Sequence, residues 1–208
     1  MNYIFDQAVF DTFKIDSVDG RMTAIQQRIQ PLFHHYAAEI VEQLANSQHA
    51  KQPIHVAKHL RRKVNPAKNT WVAVGGDQRG YKKYPHFQLG INPDYVFIVL
   101  AIIDKPTDEQ AIARAFQAVV PQFEQLPKDM IVIPDHTQLP YIELAKADFA
   151  TLFERLEKVK KAEFMLGRLA KVGDTVLETQ SSTSQWIQET VADVLPFFEL
   201  AIQQASHN

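Results

Sequence analysis

The chain has 208 residues and a mass of 23.7 kDa, with 46% hydrophobic, 22% charged and 10% aromatic residues and a formal net charge of -2. That length and apolar fraction suit a single globular domain over residues 1–208, able to bury roughly 70% of its unfolded surface without a disulfide or structural metal. Cysteine is absent, which excludes a disulfide framework, thiolate metal sites and a thiol nucleophile.

Met1–Phe10 has no basic region followed by an apolar run and a small-residue cleavage site, so no secretory signal is expected there. Apolar residues Met22, Ile25, Ile29, Leu32, Phe33, Tyr36, Ile40, Val41 and Leu44 then recur at threes and fours, the stripe of an amphipathic helix. Pro31 deletes a hydrogen bond inside it, which predicts a kink or two helices meeting at Gln30. His34 and His35 border the stripe and read as the edge of a core.

After Gln48 the period changes. Ile54–Val64 is mixed and basic, Trp71–Val74 and His86–Ile91 read as short strands, and Tyr95–Ile103 is a β-branched and aromatic run suited to a strand covered on both faces. That run is also the longest apolar one, well short of the ~20 residues a membrane helix needs, so no membrane contact and a cytoplasmic location are expected. Thr107-Asp108-Glu109-Gln110 has the form of a capping box and predicts a helix from Thr107 to Leu126. Met130–Ile133 reads as a strand. Asp148 opens a helix with Phe149, Leu152, Phe153, Leu156 and Val159 inward, and Phe164–Ala170 follows as a strand. Ser182 and Gln185 frame the start of a closing helix that carries Pro196. The strands cluster in the middle of the chain, which predicts an α+β fold with a largely antiparallel central sheet packed by helices.

Charge is uneven: residues 51–86 carry a net +8 and the remainder -10. A local excess of this size draws anionic ligands. It centres on Gly75–Pro85, longer than the two to five residues of an ordinary hairpin loop. Glycines allow close backbone approach there, while Arg79, Lys82 and Lys83 offer donors suited to phosphate or carboxylate oxygens. The spacing matches neither a Walker A loop nor a dinucleotide turn. Lys58, His59, Arg61 and Arg62 precede the Asn65-Pro66 turn, and Trp71, Tyr81 and Tyr84 interleave with the bases as faces for a nucleobase. His55 and His59 would lie about 13 Å apart on a strand, too far to share an ion, so no metal site is expected from them. His86, Asp135 and His136 could meet only if the fold brings them together.

The segments His55-Val56-Ala57-Lys58-His59, Arg61-Arg62, Asn65-Pro66, Thr70-Trp71-Val72-Ala73, Arg79-Gly80-Tyr81-Lys82-Lys83 and Pro85-His86-Phe87-Gln88 resemble the YktB-like family of uncharacterised proteins from Gram-positive bacteria. Arg21-Met22, Arg28-Ile29-Gln30-Pro31, Asp135-His136-Thr137 and the Lys158–Glu163 segment extend the likeness over most of the chain. The resemblance implies a cytosolic, single-domain α+β protein of unassigned activity, with no known catalytic residues to carry over and its cofactor, if any, unknown. It also implies a topology similar to that of the biotin protein ligase catalytic domain, where basic loops between strands hold an adenylate; the Gly-Arg-Gly-Arg-rich loop of those ligases is absent here.

These readings lead to a binding protein for a phosphate-bearing ligand, nucleic acid or nucleotide, in a basic cleft over residues 55–88. Lys58, Arg61, Arg62, Arg79, Lys82 and Lys83 would supply charge, Trp71 or Tyr81 a stacking face, and His59, His86 and Gln88 hydrogen bonds. One alternative is an enzyme of nucleotide or acyl-adenylate type with His59 or His86 as base. Another is a protein-interaction module whose basic face meets an acidic partner.

Overall fold

The computed structural model describes residues 3–47, 49, 51–60, 63–104, 106–136 and 140–205. In chain order its elements are helices α1 (Gln7–Phe10), α2 (Val18–Ala24) and α3 (Gln30–Asn46), then strands β1 (Ile54–Val56), β2 (Thr70–Val74), β3 (His86–Ile91) and β4 (Tyr95–Ile102). Helices α4 (Glu109–Gln117) and α5 (Val120–Glu124), strands β5 (Ile131–Ile133) and β6 (Ile142–Glu143), helix α6 (Phe149–Lys158), strand β7 (Phe164–Lys171) and helix α7 (Gln180–Ala205) follow. The strands form a seven-stranded sheet in the order β1-β2-β3-β4-β7-β5-β6, antiparallel at β1–β2, β5–β6 and β5–β7. The fold is α+β, a largely antiparallel sheet packed by helices. β4 is buried from Val96 to Ile102, as its unbroken apolar run predicts. By the density of its contacts the chain falls into two compact units: residues 1–74, 88–98 and 169–189, and residues 75–87, 99–168 and 190–208.

In the first unit the sequence signals act locally. Asp6 caps α1 by accepting the Val9 N–H at 3.0 Å, and Ser17 caps α2 through the Gly20 N–H at 3.2 Å. The predicted junction at Gln30 is where α3 begins, with Pro31 in its first turn. Ile25–Ile29 forms a π-helical stretch just before it. The wider turn relieves the proline ring, which in an α-helix would press on the carbonyl four residues back. Ile25, Ile29, Phe33, Tyr36 and Leu44 have no exposed surface. Gly90 in β3 lies under the Phe97 ring, where a Cβ would stand 2.2 Å from the ring edge, so only glycine lets that ring cover the strand. The start of α7 is set one turn earlier than predicted. Thr179 and Ser182 cap it reciprocally, the Thr179 N–H donating to the Ser182 hydroxyl at 3.2 Å and the Ser182 N–H to the Thr179 hydroxyl at 3.1 Å.

The second unit is built on phenylalanine. The Phe123 ring stacks on Phe197 at 3.8 Å and meets Phe153 at 4.8 Å, Phe116 and Phe149 at 5.2 Å and Phe164 at 6.0 Å. The single helix predicted over Thr107–Leu126 is two. Pro121 cannot donate, so α4 ends at Gln117 and α5 starts at Val120. Thr107 forms no capping box: its N–H donates to the Lys83 carbonyl at 2.9 Å, and Asp108 takes a left-handed conformation with φ 63°. Asp148 caps α6 as predicted, accepting the Thr151 N–H at 3.0 Å. Val159, predicted inward, is 49% exposed because α6 stops at Lys158 and the chain turns extended. Arg168 in β7 donates to Asp129 at 2.7 Å and to Asp193 at 2.8 Å, which satisfies a nearly buried guanidinium.

Phe123 is fully buried among five other rings, so Phe123→Ala is expected to destabilise the protein by about 3–5 kcal/mol. Thermal unfolding should show this as a fall of roughly 6–20 °C in Tm for a chain of this size. A fall of only a degree or two would mean that the cluster repacks around the gap.

Candidate functional site

Of the residues that the sequence points to, Lys58, His59, Trp71 and Gln88 belong to the first unit. His59 sits just beyond β1 with φ 50°, outside the comfortable range for a side-chain-bearing residue. Its Nε2 lies 3.0 Å from the Thr70 hydroxyl and its ring meets Trp71 edge-on at 5.5 Å. Exposed Lys58 and half-buried His59 line a small cavity of about 160 Å³ with Met22, Ile25 and Asp19. Gln88 is 3% exposed within β3. Arg61 and Arg62 lie outside the described residues.

Arg79, Tyr81, Lys82, Lys83 and His86 belong to the second unit, the first four on the loop that leads into β3 and His86 at the start of that strand. The loop opens on Gly75 and Gly76 at φ 134° and 83°; a Cβ on Gly76 would collide with the Gly80 carbonyl at 2.4 Å. Asp77 then closes it. One carboxylate oxygen accepts the Arg79 N–H at 2.7 Å and the Gly80 N–H at 3.0 Å, and the other accepts the Tyr84 hydroxyl at 2.9 Å. The backbone donors that a glycine-rich loop could offer an anion are thus turned on the loop's own carboxylate. The Tyr84 hydroxyl first, and the Arg79 N–H next, hold the Asp77 carboxyl below its ordinary value. What remains directed outward is the side-chain charge of Arg79, Lys82 and Lys83, all exposed.

Lys82 donates to Asp104 at 2.6 Å, both side chains about half exposed. Asp104 follows β4 at φ 58° and its carboxyl is held low, first by Lys82 and further by the charges of His136 and Lys161. His86 is fully buried, donating Nδ1–H to the Tyr84 carbonyl at 2.8 Å, and Tyr81 meets its ring edge-on at 4.7 Å. His86 therefore fixes the base of the loop from the core side.

The residue that joins this end of the unit is one the sequence reading did not select. Glu163, just before β7, has a side chain only 10% exposed. It accepts the Asp104 N–H at 3.3 Å and the His136 N–H at 2.9 Å, and the His136 Nδ1–H lies 2.8 and 2.7 Å from its two oxygens. The hydrogen bond to Glu163 raises the His136 pKa against the opposing effect of burial. Asp104, Asp108 and Lys161 all adopt positive φ in this unit, at 58°, 63° and 66°. Such conformations persist where surrounding structure holds them and they gather at functional sites. Placement just past strand ends was the signal in the sequence: Asp135-His136 follows Ile133, and Glu163 precedes Phe164.

The fold is α+β, with a charged cluster of left-handed and hydrogen-bonded residues at the ends of strands in the second unit. Residues 5–198 match the family described as "Domain of unknown function (DUF1054)", and the chain belongs to that family. Among its curated relatives, the UPF0637 protein of Oceanobacillus iheyensis is 39% identical over 95% of this chain and 96% of its own length. The UPF0637 protein of Shouchella clausii is 38% identical over 95% and 94%, and that of Listeria monocytogenes serovar 1/2a 33% identical over 96% and 98%. Among the described residues no helix is long and apolar enough to cross a membrane.

The lowered Asp77 pKa sets the pH range of the loop clasp. The carboxylate form is held throughout neutral pH, and the clasp is lost only as pH falls through a value below the ordinary 3.8. The Gly80 amide resonance should therefore titrate with a midpoint under 3.8 while far-UV circular dichroism stays native. A midpoint at or above that value would mean that Asp77 does not hold the loop in solution.

Proposed function

We propose that the chain is a cytoplasmic protein that binds a phosphate-bearing small ligand of the nucleotide kind, at the charged end of the second unit. The observation that carries this reading is the 2.6 Å ion pair of Lys82 with Asp104, whose carboxyl the charges of His136 and Lys161 also hold low. Asp104 occupies the place of an anion, and a phosphate brought to it would exchange for the carboxylate on the same cations. Arg79 and Lys83 add exposed charge on the adjoining loop. Phosphate gains more than a carboxylate from such donors because it presents more oxygens and more charge. Lys82 is committed to an acid, a compact arrangement that suits one phosphate group better than a track of them along a nucleic acid.

Calorimetric titration with adenosine monophosphate and with inorganic phosphate tests the reading. Lys82→Ala should weaken binding by about 10- to 100-fold, the worth of a charged hydrogen bond of 1.5–3 kcal/mol. Asp104→Asn should strengthen it several-fold, because it removes the internal competitor while asparagine still accepts a left-handed backbone. Equal affinities in both variants and the parent, or no binding by the parent, would overturn the proposal. A short RNA that binds with a steep salt dependence, about -0.7 per phosphate contacted, would replace the small ligand with a polymer.

A further inference from the structure

The Glu163–His136 pair has a third neighbour that phosphate binding does not use. Asp135, His136 and Glu163 each offer one ligand atom, and these atoms lie within 4.8 Å of one another, all on partly buried side chains. Among the described residues this is the one place where imidazole and carboxylate donors gather in this way. We propose that Asp135, His136 and Glu163 form a binding site for a divalent transition-metal cation of the zinc, cobalt or manganese kind.

The donor set selects the class of ion. One imidazole nitrogen and two carboxylate oxygens suit borderline metals, whereas calcium and magnesium favour six or more oxygens. Zinc binds nitrogen and carboxylate oxygen at about 2.0–2.2 Å, which places neighbouring tetrahedral donors a little over 3 Å apart. His136 Nδ1 and the Glu163 oxygens, now 2.7–2.8 Å apart across a shared proton, need open by only a fraction of an ångström as the ion replaces that proton. The two carboxylates balance the charge of the ion. The support around the ligands is already present: the Asp104 N–H braces one Glu163 oxygen and the His136 N–H the other, so the carboxylate is oriented before any ion arrives. Three protein ligands leave a coordination position open, the arrangement of sites where a metal meets a ligand.

The metal site shares His136 with the proposed phosphate site but not Lys82, Lys161 or Asp104, and the experiment keeps the two apart. Metal-stripped full-length protein in phosphate-free buffer is titrated with Co²⁺ and Zn²⁺, read by calorimetry and by the visible ligand-field bands of Co²⁺. One equivalent should bind saturably and give bands of four- or five-coordinate cobalt. His136→Ala and Asp135→Asn should each weaken binding at least 10-fold, and His34→Ala, on α3 of the first unit, should leave it unchanged. No saturable equivalent in the parent, or binding that survives both site variants, would overturn the site. If His136→Ala fails to fold, the partly exposed Asp135→Asn decides the outcome. The phosphate titrations are repeated in chelator, so that loss of one activity does not carry the other with it.

Discussion

One partly buried carboxylate organises the charged end of the second unit. Glu163 accepts backbone N–H groups from Asp104 after β4 and from His136 after β5, and it holds the His136 ring by Nδ1. Those segments leave different strands, and among the described residues no regular ladder continues past Ile102 or Ile133 to satisfy their donors. The acceptor fixes both donors where the ladders stop, the Asp104 N–H at an exposed position and the His136 N–H at a partly buried one. The carboxylate therefore serves the ends of several strands at once. The left-handed backbone at Asp104 is tolerable because its N–H is fixed there, and the Lys82–Asp104 ion pair depends on that backbone in turn.

The same economy of charge runs through the loop before β3. Asp77 spends itself on Arg79, Gly80 and Tyr84 of its own loop, and Asp104 on Lys82. The strongly positive segment of the sequence is thus partly neutralised where it folds. Exposed pairs such as Lys82–Asp104 contribute little to stability, roughly 0–1 kcal/mol. Their larger effect is on placement, since each fixes where a long cationic side chain waits.

Much of the fold was legible because its determinants are local. Alternation and β-branching gave β2, β3, β4, β5 and β7, and the Asp148 cap and the Pro31 junction act within a turn or two of themselves. The misreadings arose where a distant group competed. Thr107 looked like a cap until the Lys83 carbonyl took its N–H, and Ser182 proved to be the fourth residue of a box that begins at Thr179. The site was legible only in part for the same reason. Arg79, Lys82 and Lys83 announce themselves by charge, but Glu163 lies some eighty residues further along and looks like any acid beside lysines. Only the sheet order, which sets β7 between β4 and β5, gives it a role. His86 shows the opposite error, since a histidine amid bases reads as surface chemistry and is core.

The Asp77 clasp also bears on how fast a ligand could be captured. Gly75, Gly76 and Gly80 would make an open loop of this length floppy, and ordering it on binding would draw on the interaction energy at about 1–2 kcal/mol per residue fixed. Here the aspartate and Tyr84 complete that ordering during folding. A ligand of the proposed kind would then meet a loop already in its final shape, and its rate of association would be set by diffusion and electrostatic steering, the lifetime of its complex by the contacts broken on leaving.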